Sequence, residues 1–386
     1  MKKLKEDSLM SEKTTKIRAA VLRKLPGPWT IEDLDLSAPK PGEVLVQLKA
    51  SGLCHSDDHH RSNDLPLPNL PAIVGHEGAG VIMALGEGVT DLEVGDHIVC
   101  SFIPACGKCK WCSLGMQNLC DYGRFILDGT QIDGTFRVKD ADGKDVATAA
   151  MLGTFSNYQI MDQTSVIKID KDVPFEVACL VACGVPTGVG SARNMADVQV
   201  GDIVVVVGVG GIGINAVQGA AMSGAQRVIA VDPIEYKRTR ALEFGATDAF
   251  ATIAEAENLA KSLTNGQGAE SAIVTVGVIT SEIVAQAYKT IRKGGTLVVT
   301  ALGNHAEELS GINLFDLAMM QKRIQGNVYG GWSPRVAVPI LLDMYKNKKL
   351  KLDELITRTY KIDEINEAYD DMRNGKNIRG VIIHEH

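Results

Sequence analysis

Gly208-Val209-Gly210-Gly211-Ile212-Gly213 spaces its glycines as G-x-G-x-x-G between an apolar run, Ile203 to Val207, and a helical pattern, Ile212 to Ser223. That context constrains the fold of the 386-residue chain more than any other feature. In a strand-turn-helix unit the first glycine permits the tight turn, the second lets the backbone approach a pyrophosphate, and the third lets helix and strand pack closely. The N–H groups at the start of the helix add an attraction for the anion. Asp232 lies 19 residues beyond Gly213, at the end of the next strand, where a carboxylate accepts both hydroxyls of an adenosine ribose. It favours NAD and repels a 2′-phosphate, while the nearby Lys237 and Arg238 keep NADP open as the other dinucleotide. A glycine-rich turn without a ligand is the bland alternative, and it leaves the agreement of strand, glycines, helix and acid unexplained.

The same rhythm continues through Arg227 to Asp232, Glu235 to Phe244, Ser271 to Val276, Ser281 to Ile291 and Thr296 to Thr300, and ends near Gln325. Alternating strands and helices predict right-handed βαβ units on a doubly wound parallel sheet. Upstream, from Arg18 to about Lys168, short β-rich runs such as Glu43 to Ala50, Gly80 to Leu85 and His97 to Ser101 are separated by glycine and proline turns. The tail adds amphipathic stretches around Ala337 to Lys346 and Ile362 to Arg373 and a β-like run, Gly380 to His384, and is expected to pack back on the first domain. The expected division is a β-rich domain of residues 1–184 with 327–386, and a dinucleotide domain of residues 185–326, in the α/β class.

The net charge of −7, from 47 acidic and 40 basic residues spread along the chain, leaves no basic face for nucleic acid. Met1 to Arg18 carries lysines without the apolar core of a secretory signal and reads as a solvated tail. The most apolar run, Ile203 to Val217, contains four glycines and is too short to span a bilayer, so no membrane partner is expected. Eight cysteines in a chain of this kind are expected to bind metal or stay reduced, which places it in the cytoplasm.

Cys106, Cys109, Cys112 and Cys120 form C-x2-C-x2-C-x7-C, a spacing that brings four thiolates onto one tetrahedral, structural zinc. An iron–sulfur cluster and an adventitious disulfide are its rivals. Of the other four, Cys100 and Cys179 read as buried thiols, whereas Cys54 and Cys183 sit in site-like segments. These are Gly52-Leu53-Cys54-His55-Ser56-Asp57-Asp58-His59 and Ala182-Cys183-Gly184-Val185-Pro186-Thr187-Gly188, with Gly75-His76-Glu77-Gly78 as a third. Cys54, His76 and Cys183 would bind a second zinc with a fourth position open. Singly, each also reads as a turn residue, a satisfied structural histidine and a small buried hydrophobe, and spacing alone does not bring them together.

With Cys54-His55-Ser56-Asp57, Gly75-His76-Glu77-Gly78-Ala79-Gly80, the four-cysteine loop, Cys183-Gly184, the glycine fingerprint and Asp232 in this order, the chain resembles the medium-chain, zinc-dependent alcohol dehydrogenases from about Lys16 to Ile383. The resemblance implies a GroES-like β domain holding two zinc ions, a Rossmann domain holding NAD, and substrate in the cleft between them. It implies Cys54, His76 and Cys183 as catalytic zinc ligands, Glu77 as an occasional ligand or electrostatic tuner, and Asp57 as the acid orienting His76. Ser56 and His59 resemble the proton relay, with His59 exposed enough to exchange with solvent. Gly208, Gly210, Gly211, Ile212, Gly213, Asp232, Lys237, Thr187 and Arg379 fall where the family contacts the dinucleotide. The implied reaction takes hydride from a primary alcohol, ionised on zinc, to NAD, in a homo-oligomer, dimer or tetramer.

Two departures stand out. His55 occupies the position of an arginine that holds the pyrophosphate in many relatives, and the stretch Asp121 to Gly153 is longer than in animal enzymes and is expected to reshape the substrate mouth. The chain looks closest to the bacterial nitrosoaniline-dependent branch, whose members keep NAD bound through turnover. A formaldehyde dehydrogenase acting on a thiol adduct shares the framework, but its position 59 is usually tyrosine. A zinc-less, silent relative is opposed by the three ligands. Trp332, Phe102, Phe155 and Tyr329 are candidates for an apolar pocket, with plain core as the alternative.

Overall fold

The computed structural model describes residues 14–386; most of the N-terminal stretch read as a solvated tail, residues 1–13, lies outside them. The chain divides into two compact units, one running to Cys183 and resuming at Ser333–His386, the other Gly184–Trp332. The second boundary falls six residues later than the expected 326/327. Asn327 Nδ2 donates to Ser191 Oγ at 2.8 Å and to Thr300 Oγ1 at 3.2 Å, and Asn194 Nδ2 donates to Gly330 O at 2.9 Å, so this segment is tied into the second unit.

The second unit is built on a six-stranded sheet in the order Asp248–Phe250, Arg227–Val231, Ile203–Val207, Ala269–Val274, Ile291–Val299 and Arg323–Gly326, all parallel. Ile203–Val207, Ile-Val-Val-Val-Val, is buried along its whole length because helices cover both faces of such a sheet. From it the chain steps outward to Asp248–Phe250 and then crosses to Ala269–Val274 on the other side, making the switch point at which ligands bind in open α/β sheets. The unit Asp248–Phe250 with helix Ile253–Leu263 escaped the sequence reading, since three residues show no period; the Thr252/Glu255 capping box was the available signal.

The first unit holds a closed barrel of Thr15–Leu22, Trp29–Leu36, Val138–Lys139, Asp145–Thr148 and Ala72–Ile73. Beside it lies a sheet in the order Val166–Ile169, His97–Cys100, Gly78–Leu85, Glu43–Gly52, Arg379–Ile383 and Ile356–Tyr360, with Tyr158–Asp162 also on Glu43–Gly52. The long stretch Asp121 to Gly153 therefore supplies two barrel staves rather than only a loop at a substrate mouth. The tail adds its strand antiparallel to Glu43–Gly52, pairing Val381 with Gly52 and Ile382 with Ser51, which brings residue 379 beside the centre of this unit. Phe155 is fully buried against Trp29 and Tyr369 and is core. Tyr329 and Trp332 are buried in the second unit, where Gly190 leaves room for the Trp332 indole. No single helix among the described residues is long and apolar enough to cross a membrane.

Burial, with His386 nearby, holds His384 down to about 3, and its Nε2 lies 2.9 Å from Ser51 Oγ. The unfolded chain takes up a proton below about pH 6.5 that the folded chain refuses, so this part of the stability is intact above that pH and erodes as the pH falls toward 3. A His384→Gln variant is expected to show a shallower loss of unfolding midpoint between pH 6.5 and 4, read from denaturant titrations across that range.

Candidate functional site

After strand Glu43–Gly52 the chain turns at Cys54, which is extended (φ −122°, ψ 146°) and opens helix His55–Ser62 without capping it through its side chain. Asp57 and Asp58 in the first turn and His59, His60 and Arg61 in the last complement the helix dipole. Four of these polar residues are buried, and each has a partner. Asp57 meets His76, Arg373 donates twice to Asp58 at 2.7 Å, His59 meets Asp64, and His60 Nδ1 lies 2.8 Å from Leu65 O. The helix is held by paired polar groups instead of an apolar stripe, so hydrophobic periodicity could not reveal it.

Ligand atoms of Cys54, His76, Glu77 and Cys183 lie within 4.8 Å of one another, and all four residues are buried. His76 Nδ1 sits 3.0 Å from Asp57 Oδ1, leaving Nε2 as the nitrogen offered to a metal. Asp57 also accepts from Gly75 N at 3.0 Å and from the Tyr369 hydroxyl at 3.4 Å, and that hydroxyl lies 3.3 Å from Cys54 O. Tyr369, from helix Ile365–Arg373, was not anticipated; 312 positions separate it from Asp57, and no local pattern signals the contact.

Cys54 ionises readily because Cys183 hydrogen-bonds its sulfur and His76 lies beside it, whereas the Cys183 thiol is pushed up by the same bond and by burial. Burial alone would lower His76, but Asp57 and Cys54 outweigh it and raise it. Complete burial pushes the Glu77 carboxyl up to about 7 against the opposing pull of Arg379. Two sulfurs and an imidazole converging in a dry pocket fit a soft divalent cation, whose charge would draw both thiols into the thiolate form and hold the imidazole neutral.

Arg379, expected on the cofactor, has its guanidinium on Glu77 and is almost wholly buried, its Nε without a partner. A Cβ at Gly52 would meet Glu77 Oε2 at 2.2 Å and Arg379 Nη2 at 2.9 Å, so glycine there makes room for the pair. Ser56 Oγ lies 3.5 Å from Cys54 Sγ. His59, expected to be solvent-exposed, is only 2% exposed, and Asp64 folds back onto it, with 3.3 Å between Nδ1 and Oδ2. His55 keeps about a third of its side chain exposed. Of the candidate pocket aromatics, Phe102 touches this cluster, its ring edge-on to His76 with centroids 5.4 Å apart.

Cys106, Cys109, Cys112 and Cys120 also place their sulfurs within 4.8 Å of one another, and all eight cysteines are free thiols. Cys106 and Cys112 Sγ are 3.9 Å apart, close to the separation that metal–sulfur bonds of about 2.3 Å impose in a tetrahedron. Backbone N–H groups of residues 106, 109 and 112 donate to the sulfurs of Cys120, Cys106 and Cys109. Backbone bonds lower Cys109 to about 6, while burial pushes Cys112 up to about 12. This geometry fits a single ion, with every sulfur a free thiol rather than half of a disulfide.

In the second unit Gly208 has φ +86°, and a Cβ there would meet Val276 Cα at 2.8 Å; one at Gly213 would meet Gly208 O at 1.8 Å. Around Gly210 a Cβ would find nothing within 4 Å, which is the open cradle a pyrophosphate needs. Gly211 and Ile212 are half-buried, and no side chain caps the following helix Gly213–Met222. Asp232 accepts from Val209 N and Ile234 N, both at 3.0 Å, and Arg238 donates to Asp232 O at 2.8 Å. Lys237 lies on the same helix, half-buried. Thr187 Oγ1 is buried without a partner, on a helix, Gly184–Gly190, that packs on the fingerprint where Gly188 faces Ile212 O.

Comparison with known proteins matches residues 40–171 to the alcohol dehydrogenase GroES-like domain and residues 211–347 to the zinc-binding dehydrogenase family. An NDMA-dependent alcohol dehydrogenase of Amycolatopsis methanolica is 49% identical over 369 residues, covering 96% of this chain and 99% of that protein. Alcohol dehydrogenase B of Mycobacterium tuberculosis is 46% identical over 368 residues, covering 95% and 98%. The crystal structure of benzyl alcohol dehydrogenase from Acinetobacter calcoaceticus superposes with a TM-score of 0.88 at 31% identity, covering 96% of this chain and all of that one.

Replacing Asp57 by Asn exchanges an acceptor for a group that can present N–H to His76. The expected result is metal held roughly 10- to 100-fold more weakly at the Cys54 cluster, with the four-cysteine loop unaffected, read by competition with a chromogenic chelator.

Proposed function

The chain belongs to the medium-chain, zinc-dependent alcohol dehydrogenases, and from that premise we propose that it exchanges a hydride between a primary alcohol or its aldehyde and NAD, with one zinc held by Cys54, His76 and Cys183 and another by the four-cysteine loop. The observation that carries this reading is the buried convergence of two sulfurs and one imidazole whose other nitrogen is fixed by a carboxylate. A zinc ion there supplies a Lewis acid that lowers the pKa of a hydroxyl, as it lowers that of water from about 15.7 to about 7. NAD supplies the hydride acceptor.

The remaining work falls to the chain's own groups. Asp57 fixes the His76 tautomer and ring plane, and Tyr369 and Gly75 N fix Asp57. Glu77 and Arg379 form a buried pair that balances charge beside the thiolates. Phe102 gives the cluster an apolar wall, which supports an uncharged alcohol as substrate. Ser56 and His59 lie three residues apart on one helix and so share a face, as a hydroxyl-to-imidazole proton path requires. Gly208, Gly210, Gly211, Ile212 and Gly213 cradle the pyrophosphate at an uncapped helix start, and Asp232 takes the ribose in preference to a 2′-phosphate. Thr187 offers its unpaired hydroxyl to the same ligand, with Lys237, His55 and Arg379 as further cofactor contacts. The sheet's outer strand Arg323–Gly326 and the exposed Leu314, Phe315 and Met319 support self-association into a dimer or tetramer.

Extensively dialysed protein is expected to hold two zinc ions per chain, one for each cluster, and to retain NAD, as elemental analysis and nucleotide release will show. One zinc or none overturns the catalytic reading, and two zinc ions without nucleotide make NAD an exchanging cosubstrate. Cys54→Ser should abolish turnover with the fold and nucleotide binding kept; a fully active variant removes Cys54 from the site.

A further inference from the structure

Helix His55–Ser62 ends at Asn63 in the left-handed conformation (φ 69°), its N–H on His60 O at 3.0 Å, and this turns the chain so that Asp64 comes back over the helix. Three bonds fasten the return. Leu65 N donates to His59 O at 3.1 Å, and the Ser62 hydroxyl reaches Asp64 Oδ2 at 2.6 Å and His59 O at 3.3 Å. Asp64 Oδ2 then lies 3.3 Å from His59 Nδ1. The His59 side chain is 3% exposed and that of Asp64 is 34% exposed, so a proton leaving the imidazole on this side meets water at the carboxylate.

We propose that Asp64 is a positioning residue for proton release, resting on the assignment of His59 to the relay. It accepts the Nδ1–H, fixes the tautomer in which Nε2 is free to take the alcohol's proton, and stabilises the imidazolium so formed. The proton on Nδ1 then passes to water or a buffer base at the exposed edge of Asp64, which leaves the ring protonated on Nε2; loss of that proton and uptake of one on Nδ1, both exchanged with water, restore the resting tautomer that Asp64 favours, and the carboxylate itself stays ionised. Ser62 and His59 hold Asp64 below the ordinary carboxylate range, in keeping with that role. Charged and titratable neighbours include His55, whose ring centroid lies 5.4 Å from that of His59, His60 on the same helix, and Arg373 from the C-terminal helix, which is engaged with Asp58.

The test uses the zinc- and NAD-loaded enzyme and compares Asp64→Asn, Asp64→Glu, His59→Gln and the Asp64→Asn/His59→Gln double variant in alcohol oxidation at low buffer concentration. Asp64→Asn is expected to slow oxidation by roughly 10- to 100-fold, since the amide can present N–H to Nδ1 and impose the wrong tautomer, with zinc and nucleotide content unchanged. Added imidazole should restore much of that rate while leaving wild type unaffected, Asp64→Glu should keep most activity, and the double variant should be no slower than His59→Gln. Wild-type behaviour of Asp64→Asn beside an impaired His59→Gln, or losses that multiply in the double variant, overturns the role of Asp64. Wild-type behaviour of His59→Gln overturns the relay itself.

Discussion

One buried carboxylate ties together segments that the sequence keeps far apart. Asp57 receives the imidazole of His76, the backbone N–H of Gly75 and the hydroxyl of Tyr369, so helix His55–Ser62, the turn before strand Gly78–Leu85 and the C-terminal helix share a single anchor. A carboxylate out of water is costly unless its lone pairs are filled, and these donors fill them. Because Asp57 also sets which nitrogen of His76 faces the sulfurs, the same interaction that stabilises the fold prepares the metal site.

Around that anchor the first unit concentrates charge in a dry interior. Cys54, Cys183, His76, Glu77 and Arg379 are all nearly inaccessible, and burial alone would force most of them neutral. Pairing resists this: Arg379 with Glu77, Asp57 with His76, and the two cysteines with each other. Glycine at position 52 is the steric condition for one of those pairs, and the return of strand Arg379–Ile383 to Glu43–Gly52 is the topological one. The nucleotide-binding unit follows a simpler logic, in which a valine-rich strand, a forced turn at Gly208 and open space at Gly210 make the cradle locally.

Sequence alone determined the doubly wound sheet, the glycine cradle, the acid at its second strand and the four-cysteine loop. Each is assembled from local strand, turn, helix or loop units whose residues lie within a few turns of chain, so period and spacing reveal it, the three-residue strand Asp248–Phe250 and its helix excepted. The Cys54, His76 and Cys183 centre was reached only through resemblance, since nothing in the spacing brings the three together. Tertiary structure alone decided that Arg379 pairs with Glu77, that Tyr369 braces Asp57, that Val138–Lys139 and Asp145–Thr148 are barrel wall and that His59 is buried beside Asp64. Long-range side-chain pairing leaves no period in the chain, and burial of a polar residue depends on which distant partner the fold delivers to it.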